Sequence, residues 1–192
     1  AGIITNNTFG DAKVLDVKGE KIKKILLKGK IPVICGFQGK TENEEFSTLG
    51  RGGSDTTAAL LGASIPAEKI EIYTDVDGIM TADPRMVKDA TVIDIISYDE
   101  IFQLADQGAK VIHPRAVEVA REKNIPIVIK NTLTDSKGTL INNLGDRKKF
   151  RLVTSITSSD DRIQISIDIK DNLKNDKYNN ILQVIAERGI SL

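Results

Sequence analysis

The sequence predicts an α/β layered fold with a mainly parallel sheet. Short β-branched runs alternate with helical patterns along most of the chain, and glycine or proline punctuates the joins between them. One run, Ile31 to Phe37, is continuously apolar, as a strand covered on both faces requires.

The opening residues, Ala1 to Ile4, read as a strand already in progress. Lys18 to Lys28 carries Ile22, Ile25 and Leu26 at helical spacing and closes at Gly29. Ile31 to Phe37 is then expected as a buried strand, with Cys35 packed inside it as a small hydrophobe. Asp55 to Ala63 is a small-residue helix opened by Ser54 or Asp55, and Ile70 to Thr74 is the next strand. Ser97 and Glu100 are spaced as a capping box for a helix that ends at Gly108. Pro114 suits the first turn of a helix reaching about Lys123, and Pro126 to Lys130 returns as a strand. Asn142 to Lys149 is polar, with Gly145 and three successive basic residues, and reads as a linker. Beyond it the rhythm changes. Arg162 to Ile169 alternates apolar and polar, Tyr178, Ile181, Leu182 and Ile185 form a helical face before Gly189, and the last residues start another strand. This reads as the first half of a small α+β domain. With no initiating Met and a strand at either end, the chain is expected to be a fragment.

Composition narrows the function. Lysine plus arginine balance aspartate plus glutamate at 27 each, so no general positive field draws nucleic acid or an anionic membrane, and neither is expected as a partner. No apolar run approaches the roughly 20 residues that span a bilayer. The single cysteine rules out an internal disulfide framework and suits a reducing compartment, so the cytoplasm is the expected location.

Three constellations carry possible chemistry. Leu49-Gly50-Arg51-Gly52-Gly53-Ser54-Asp55 is a glycine-rich turn leading into a helix, where exposed N–H groups and the helix dipole favour an anion and Arg51 offers a fork for a carboxylate. An ordinary turn with a capping Ser or Asp fits the same residues. Thr74-Asp75-Val76-Asp77-Gly78 follows a strand, at the carboxyl end where ligands of parallel sheets sit, and leads on to Asp83-Pro84-Arg85, whose arginine can reach a phosphate. A solvated turn is the alternative; a Ca²⁺ loop needs more oxygen ligands than two Asp supply. In Gly108-Ala109-Lys110-Val111-Ile112-His113-Pro114, Lys110 stands at an element boundary as a point charge for phosphate, or as a surface lysine. His113, the only histidine, lacks a partner in sequence and reads as structural, packed before Pro114.

The strings GFQG (Gly36 to Gly39), LGRGGSDTTA (Leu49 to Ala58), IYTDVDGIMTADPR (Ile72 to Arg85), GAKVIHPRAVE (Gly108 to Glu118) and GTLI (Gly138 to Ile141) closely resemble the aspartokinase family, in order and at its intervals. The TDVDG…DPR string alone is shared with glutamate 5-kinase and, loosely, uridylate kinase, and GRGGSD narrows the likeness. The resemblance implies the C-terminal part of an amino-acid-kinase-like αβα sandwich over residues 1–145, then the first half of a ferredoxin-like ACT regulatory domain over 151–192. It implies transfer of the γ-phosphoryl group of ATP, with Mg²⁺, to the side-chain carboxylate of L-aspartate, a first step toward lysine, threonine and methionine. By position it makes Arg51, Gly52, Gly53 and Ser54 the aspartate site and Asp55 the organiser of transfer. Thr74, Asp75, Met80, Arg85, Lys110 and Val111 become the nucleotide site, with Lys110 also acting in transfer and Mg²⁺ carried by ATP, not by a protein ligand. Met80 stands where family members often carry tyrosine. The family's N-terminal KFGGTS string and its aspartate-binding acidic residue are absent, so the isolated chain is expected to be inactive. Asn175-Asp176 replaces the Pro-Gly usual in ACT modules. Lysine or threonine is the implied effector and a homo-oligomer the implied assembly. A related carboxylate kinase, or a non-catalytic regulatory or assembly module, remains the alternative reading.

Overall fold

The strand run Ile127-Val128-Ile129 alternates fully buried and half-buried side chains, and that alternation builds the main sheet of the chain. The computed structural model describes residues 2–109, 111–147 and 152–158, together with Gln183, Val184, Glu187 and Arg188. The chain divides into two compact units, Ala1–Ser159 and Asp160–Leu192. In the second, Gln183, Val184 and Glu187 are helical and Gln183 Nε2 donates to Glu187 Oε1 at 2.9 Å. The expected strands at 162–169 and 189–192, the face of Tyr178, Ile181, Leu182 and Ile185, and Asn175-Asp176 lie outside the described residues, as does Lys110.

The first unit runs β1 (Ile3–Thr5), β2 (Val14–Val17), α1 (Glu20–Leu26), β3 (Gln38–Thr41), β4 (Phe46–Thr48), α2 (Gly53–Ser64), β5 (Ile70–Thr74), β6 (Ile95–Ser97), α3 (Tyr98–Asp106), α4 (Pro114–Glu122), β7 (Ile127–Asn131) and β8 (Thr139–Asn142). It is α/β, as the alternating pattern predicts. Its strands form two sheets, ordered β2-β1-β3-β4 and β5-β7-β8-β6. Parallel pairing joins β1 to β3, β5 to β7 and β6 to β8, while β1–β2, β3–β4 and β7–β8 are antiparallel. The sheets are therefore mixed. A four-residue turn after Thr41 and the loop after Asn131 send the chain straight back beside the strand it has left, which requires antiparallel pairing.

The core sits between the second sheet and its helices. Ile70, Ile127, Ile129 and Ile141 pack against Ala59 of α2, Ile101 of α3 and Ala116, Val117 and Ala120 of α4. Each fully buried isoleucine contributes roughly 1.5–3 kcal/mol. The alanines leave the helices room to approach one another and the strands. Tyr98, at the start of α3, donates its hydroxyl to Ile125 O at 2.7 Å, so even the largest buried side chain has its polar end satisfied. The capping box is present: Ser97 Oγ accepts from Glu100 N at 3.2 Å, and Glu100 Oε2 accepts from Ser97 N at 2.9 Å. Past the linker, Ser155 Oγ donates to Met80 O at 2.9 Å, Ile156 N donates to Thr81 O at 2.9 Å and Thr154 Oγ1 donates to Glu100 Oε1 at 2.6 Å.

The run from Ile31 to Phe37 is not the buried strand that its apolar content suggests. Ile31 is 89% and Val33 97% exposed, and the ladder begins only at Gln38. The run joins no ladder of either sheet, although among the described residues the outer edges of β2 and β4 are open. Pro32 also lacks a ladder donor. Cys35, expected inside, is exposed for the same reason. At α2 the N-cap is Gly52, in place of the expected Ser54 or Asp55, and no side chain caps the helix. Both fall within the first turn, where the Asp55 carboxylate is engaged elsewhere.

Candidate functional site

Both α2 and α4 run by short links into the strand that follows, β5 and β7 respectively, and α2 packs against both α4 and β5. A helix that turns back into its next strand presents its N-terminus at that strand's carboxyl end. The turn at 50–53, the loop at 74–78, the segment leading to Pro114 and the loop at 132–138 therefore gather at one end of the parallel pair β5–β7, where ligands of such sheets bind.

The glycine turn is built around left-handed backbone. Gly50 has φ +72° and Gly52 φ +69°, a conformation that L side chains enter at a cost of about 1–2 kcal/mol. A Cβ at Gly50 would overlap Asp11 Oδ1, and one at Gly52 would overlap the His113 imidazole. Close approach thus locks the turn between the loop before β2 and the start of α4. The hydroxyls of Thr56 and Thr57 donate to Gly52 O at 2.9 Å and Gly53 O at 2.7 Å. Thr57 Oγ1 in turn accepts from Phe37 N at 3.1 Å, which brings the GFQG segment onto the helix start beside Ser54. Arg51 and Ser54 are exposed at the turn, while Gly53 is buried.

Asp55 Oδ2 accepts the backbone N–H of His113 at 3.1 Å and so ties the turn to the residue that opens α4. His113 is the N-cap of α4, its Nδ1 accepting from Arg115 N at 3.3 Å. Burial, then the Arg115 charge, lower its pKa; Asp55 pulls it back upward and Arg51 adds to the lowering. The neutral ring, protonated on Nε2, is the form that fits the capping role. This agrees with the structural reading of His113. Val111 packs half-buried against the core.

The second group is centred on β5. Thr74 Oγ1 donates to Asp75 Oδ1 at 3.1 Å, and Thr74 O accepts from both the N–H and the hydroxyl of Thr132, at 2.8 and 3.1 Å. Met80 is half-buried in an antiparallel bridge with Val92. Arg85 is turned toward its own loop: Nη2 donates to Asp83 Oδ2 at 2.6 Å and Nε to Asp83 Oδ1 at 3.0 Å, with the arginine side chain 86% exposed. This fork holds the Asp83 carboxyl at about 2, well below its ordinary range. The structure thus brings Arg51, Gly52, Gly53, Ser54 and Asp55 together with His113, and Thr74 and Asp75 together with the 131–136 loop. No hydrogen bond among the described residues joins Arg85 to either group. Sequence reasoning missed Asp11, which holds the glycine turn from outside and carries no motif of its own, and gave Phe37 no role although it belongs to GFQG. An apolar groove of about 350 Å³ lies between Ile3-Ile4 and Val33-Cys35, and no residue of the two groups lines it.

Residues 1–131 match the profile of the amino acid kinase family. The chain belongs to that family. Within the amino acid kinase family it is 42% identical over 197 aligned residues to aspartokinase 1 of Bacillus subtilis, an alignment covering 100% of this chain and 48% of the relative. The chain spans about half the length of the curated relatives it matches. Among solved structures, Escherichia coli aspartokinase III in complex with aspartate and ADP has a TM-score of 0.67 at 38% identity, covering 74% of this chain and 33% of that one. The same enzyme in complex with lysine and aspartate gives 0.66 at 37%, covering 76% and 34%. Among the described residues no helix is long and apolar enough to cross a membrane.

Proposed function

We propose that this chain carries the aspartate-binding turn and part of the nucleotide site of an aspartokinase, which moves the γ-phosphoryl group of ATP onto the side-chain carboxylate of L-aspartate. The observation that carries the reading is the identity to an aspartokinase along the whole chain. The geometry supports it through a left-handed glycine turn that opens α2 beside an exposed arginine.

Arg51 binds a carboxylate of aspartate through its guanidinium fork, with Gly52, Gly53 and Ser54 shaping the bed around it. The side-chain carboxylate oxygen attacks the γ-phosphorus in line; the new P–O bond forms as the bond to the leaving ADP oxygen breaks, giving 4-phospho-L-aspartate. Asp55 accepts from His113 N and so joins the start of α4 to the turn, and Lys110 takes the phosphates and acts in transfer, as the resemblance implies. Thr74, Asp75, Met80 and Val111 form nucleotide contacts, and Arg85 reaches the phosphates once it exchanges Asp83 for them. Positioning and cancellation of negative charge are all that such a transfer asks of the protein. When bound, Mg²⁺ would supply positive charge that offsets the charge of the phosphates. It enters with ATP, as part of the nucleotide substrate.

Residues 1–145 form the later part of the catalytic domain and 151–192 the first half of an ACT-type regulatory domain, taking lysine or threonine as effector in a cytoplasmic homo-oligomer. The hydrogen bonds from 154–156 to Met80, Thr81 and Glu100 fix these residues within the first unit, beside the loop that carries Met80. The test is ADP release by the whole protein, dependent on aspartate and not on glutamate.

A further inference from the structure

We propose that Asp77 is a positioning residue of the nucleotide site, holding the β7–β8 loop against Thr74 so that the carboxyl end of β5 has a fixed wall. The proposal rests on the aspartokinase reading. It adds a residue that touches no substrate and acts through others.

The polarity of the hydrogen bonds makes the case. Asp77 Oδ1 accepts from Asn131 Nδ2 at 2.8 Å and from Thr134 Oγ1 at 2.9 Å, and Asp77 O accepts from Ser136 Oγ at 3.1 Å. Each of these three side chains, having donated to Asp77, accepts a backbone N–H of the loop. Asn131 Oδ1 accepts from Leu133 N at 2.8 Å, Thr134 Oγ1 from Ser136 N at 3.4 Å and Ser136 Oγ from Gly138 N at 3.3 Å. A hydroxyl that donates in one direction turns its lone pairs in the other. Asp77 is therefore the acceptor toward which the loop's polar groups are oriented, through both its carboxylate and its backbone carbonyl.

The loop so fixed lies directly on the proposed nucleotide residues. Thr132 bonds Thr74 O twice, through its N–H and its hydroxyl. The backbone on both sides is tightly fitted. A Cβ at Gly78 would stand 2.6 Å from Thr139 Oγ1, which already accepts from Ile79 N at 2.8 Å, and a Cβ at Gly138 would overlap Ile129 O. The loop enters and leaves on rigid strands, and between them Asp77 supplies the side-chain acceptor that sets its position.

The substitutions are Asp77→Ala, which removes the acceptor, and Asp77→Asn, which keeps Oδ1 and replaces only Oδ2. In the whole protein Asp77→Ala should raise KM for ATP about 10-fold, with KM for aspartate within about two-fold, because the loss falls on one substrate's wall. Asp77→Asn should restore KM for ATP to within about three-fold of wild type. Hydrogen exchange on the 192-residue chain should show faster exchange at 132–138 in Asp77→Ala and not in Asp77→Asn. If Asp77→Ala loosens the loop but leaves KM for ATP unchanged, or if KM for both substrates rises together, the positioning role is overturned while the aspartokinase reading stands. If Asp77→Asn behaves as Asp77→Ala, charge and not hydrogen-bond acceptance matters, and the proposal falls. If the unsubstituted protein releases no ADP with aspartate, both fall.

Discussion

Gly52→Ala isolates what the glycine turn contributes, because Gly29→Ala provides a matched control. Gly29 has φ +67° and Gly52 φ +69°, so the conformational strain of an alanine should be nearly equal at both. Around Gly29 no heavy atom lies within 4 Å of an added Cβ, whereas at Gly52 the added methyl overlaps the His113 ring. Strain alone is worth about 1–2 kcal/mol. Pushing a packed side chain aside adds about 1–3 kcal/mol. The ring cannot move freely, since His113 is held by Asp55 at its N–H and caps α4 through Nδ1. Urea unfolding should therefore show Gly29→Ala losing about 1–2 kcal/mol and Gly52→Ala roughly 2–5 kcal/mol, with similar denaturant slopes. Equal losses in the two variants would mean that the turn is not packed against α4, and the joining of the two motifs at one site would have to be abandoned.

Arg51→Lys in the whole protein keeps the charge and removes the fork, so aspartate binding should weaken by about 2 kcal/mol, read as a roughly 30-fold rise in its KM with ATP affinity retained; unchanged aspartate kinetics would remove Arg51 from the site. His113 provides a pH test. Its folded pKa lies below the ordinary value of 6.5, so the unfolded chain takes up the proton more readily. Its contribution is complete above that value and is lost as pH falls through the folded pKa. His113→Asn keeps a capping acceptor without titrating, so wild type should lose more stability than the variant between about pH 7.5 and about pH 5.5. Parallel losses would show that the imidazole is not shielded.

Elements whose signals are local were legible in the sequence. Ser97 and Glu100 specify their own capping box, Pro114 opens α4, and the run from Ile70 to Thr74 forms β5 with the expected ends. The same reasoning misplaced Ile31 to Phe37, because an apolar run reports a tendency to burial and not whether the chain there enters a ladder. Strands β3 and β4 were hidden for the opposite reason: Gln38-Gly39-Lys40-Thr41 and Phe46-Ser47-Thr48 are polar, and they pair through backbone and a buried hydroxyl bond from Thr5 to Ser47. Within the site, glycine spacing announced the turn at 50–53. Of the residues that hold it, Thr57 and His113 stand inside quoted strings and Asp11 outside them; what the sequence did not show is that the three meet at the turn. Asp77 was visible as a residue at a strand end, but its partners lie more than fifty positions away, at 131, 134 and 136.

Product chemistry tests the central claim most directly. An aspartokinase makes an acyl phosphate, which hydroxylamine converts to a hydroxamate as phosphate leaves. The whole protein, given ATP, Mg²⁺ and hydroxylamine, should form aspartate hydroxamate in step with ADP release, and glutamate, longer by one methylene, should give at least about 10-fold less at the same concentration. Hydroxamate from glutamate at a comparable rate, or ADP release without any aspartate hydroxamate, would contradict the account.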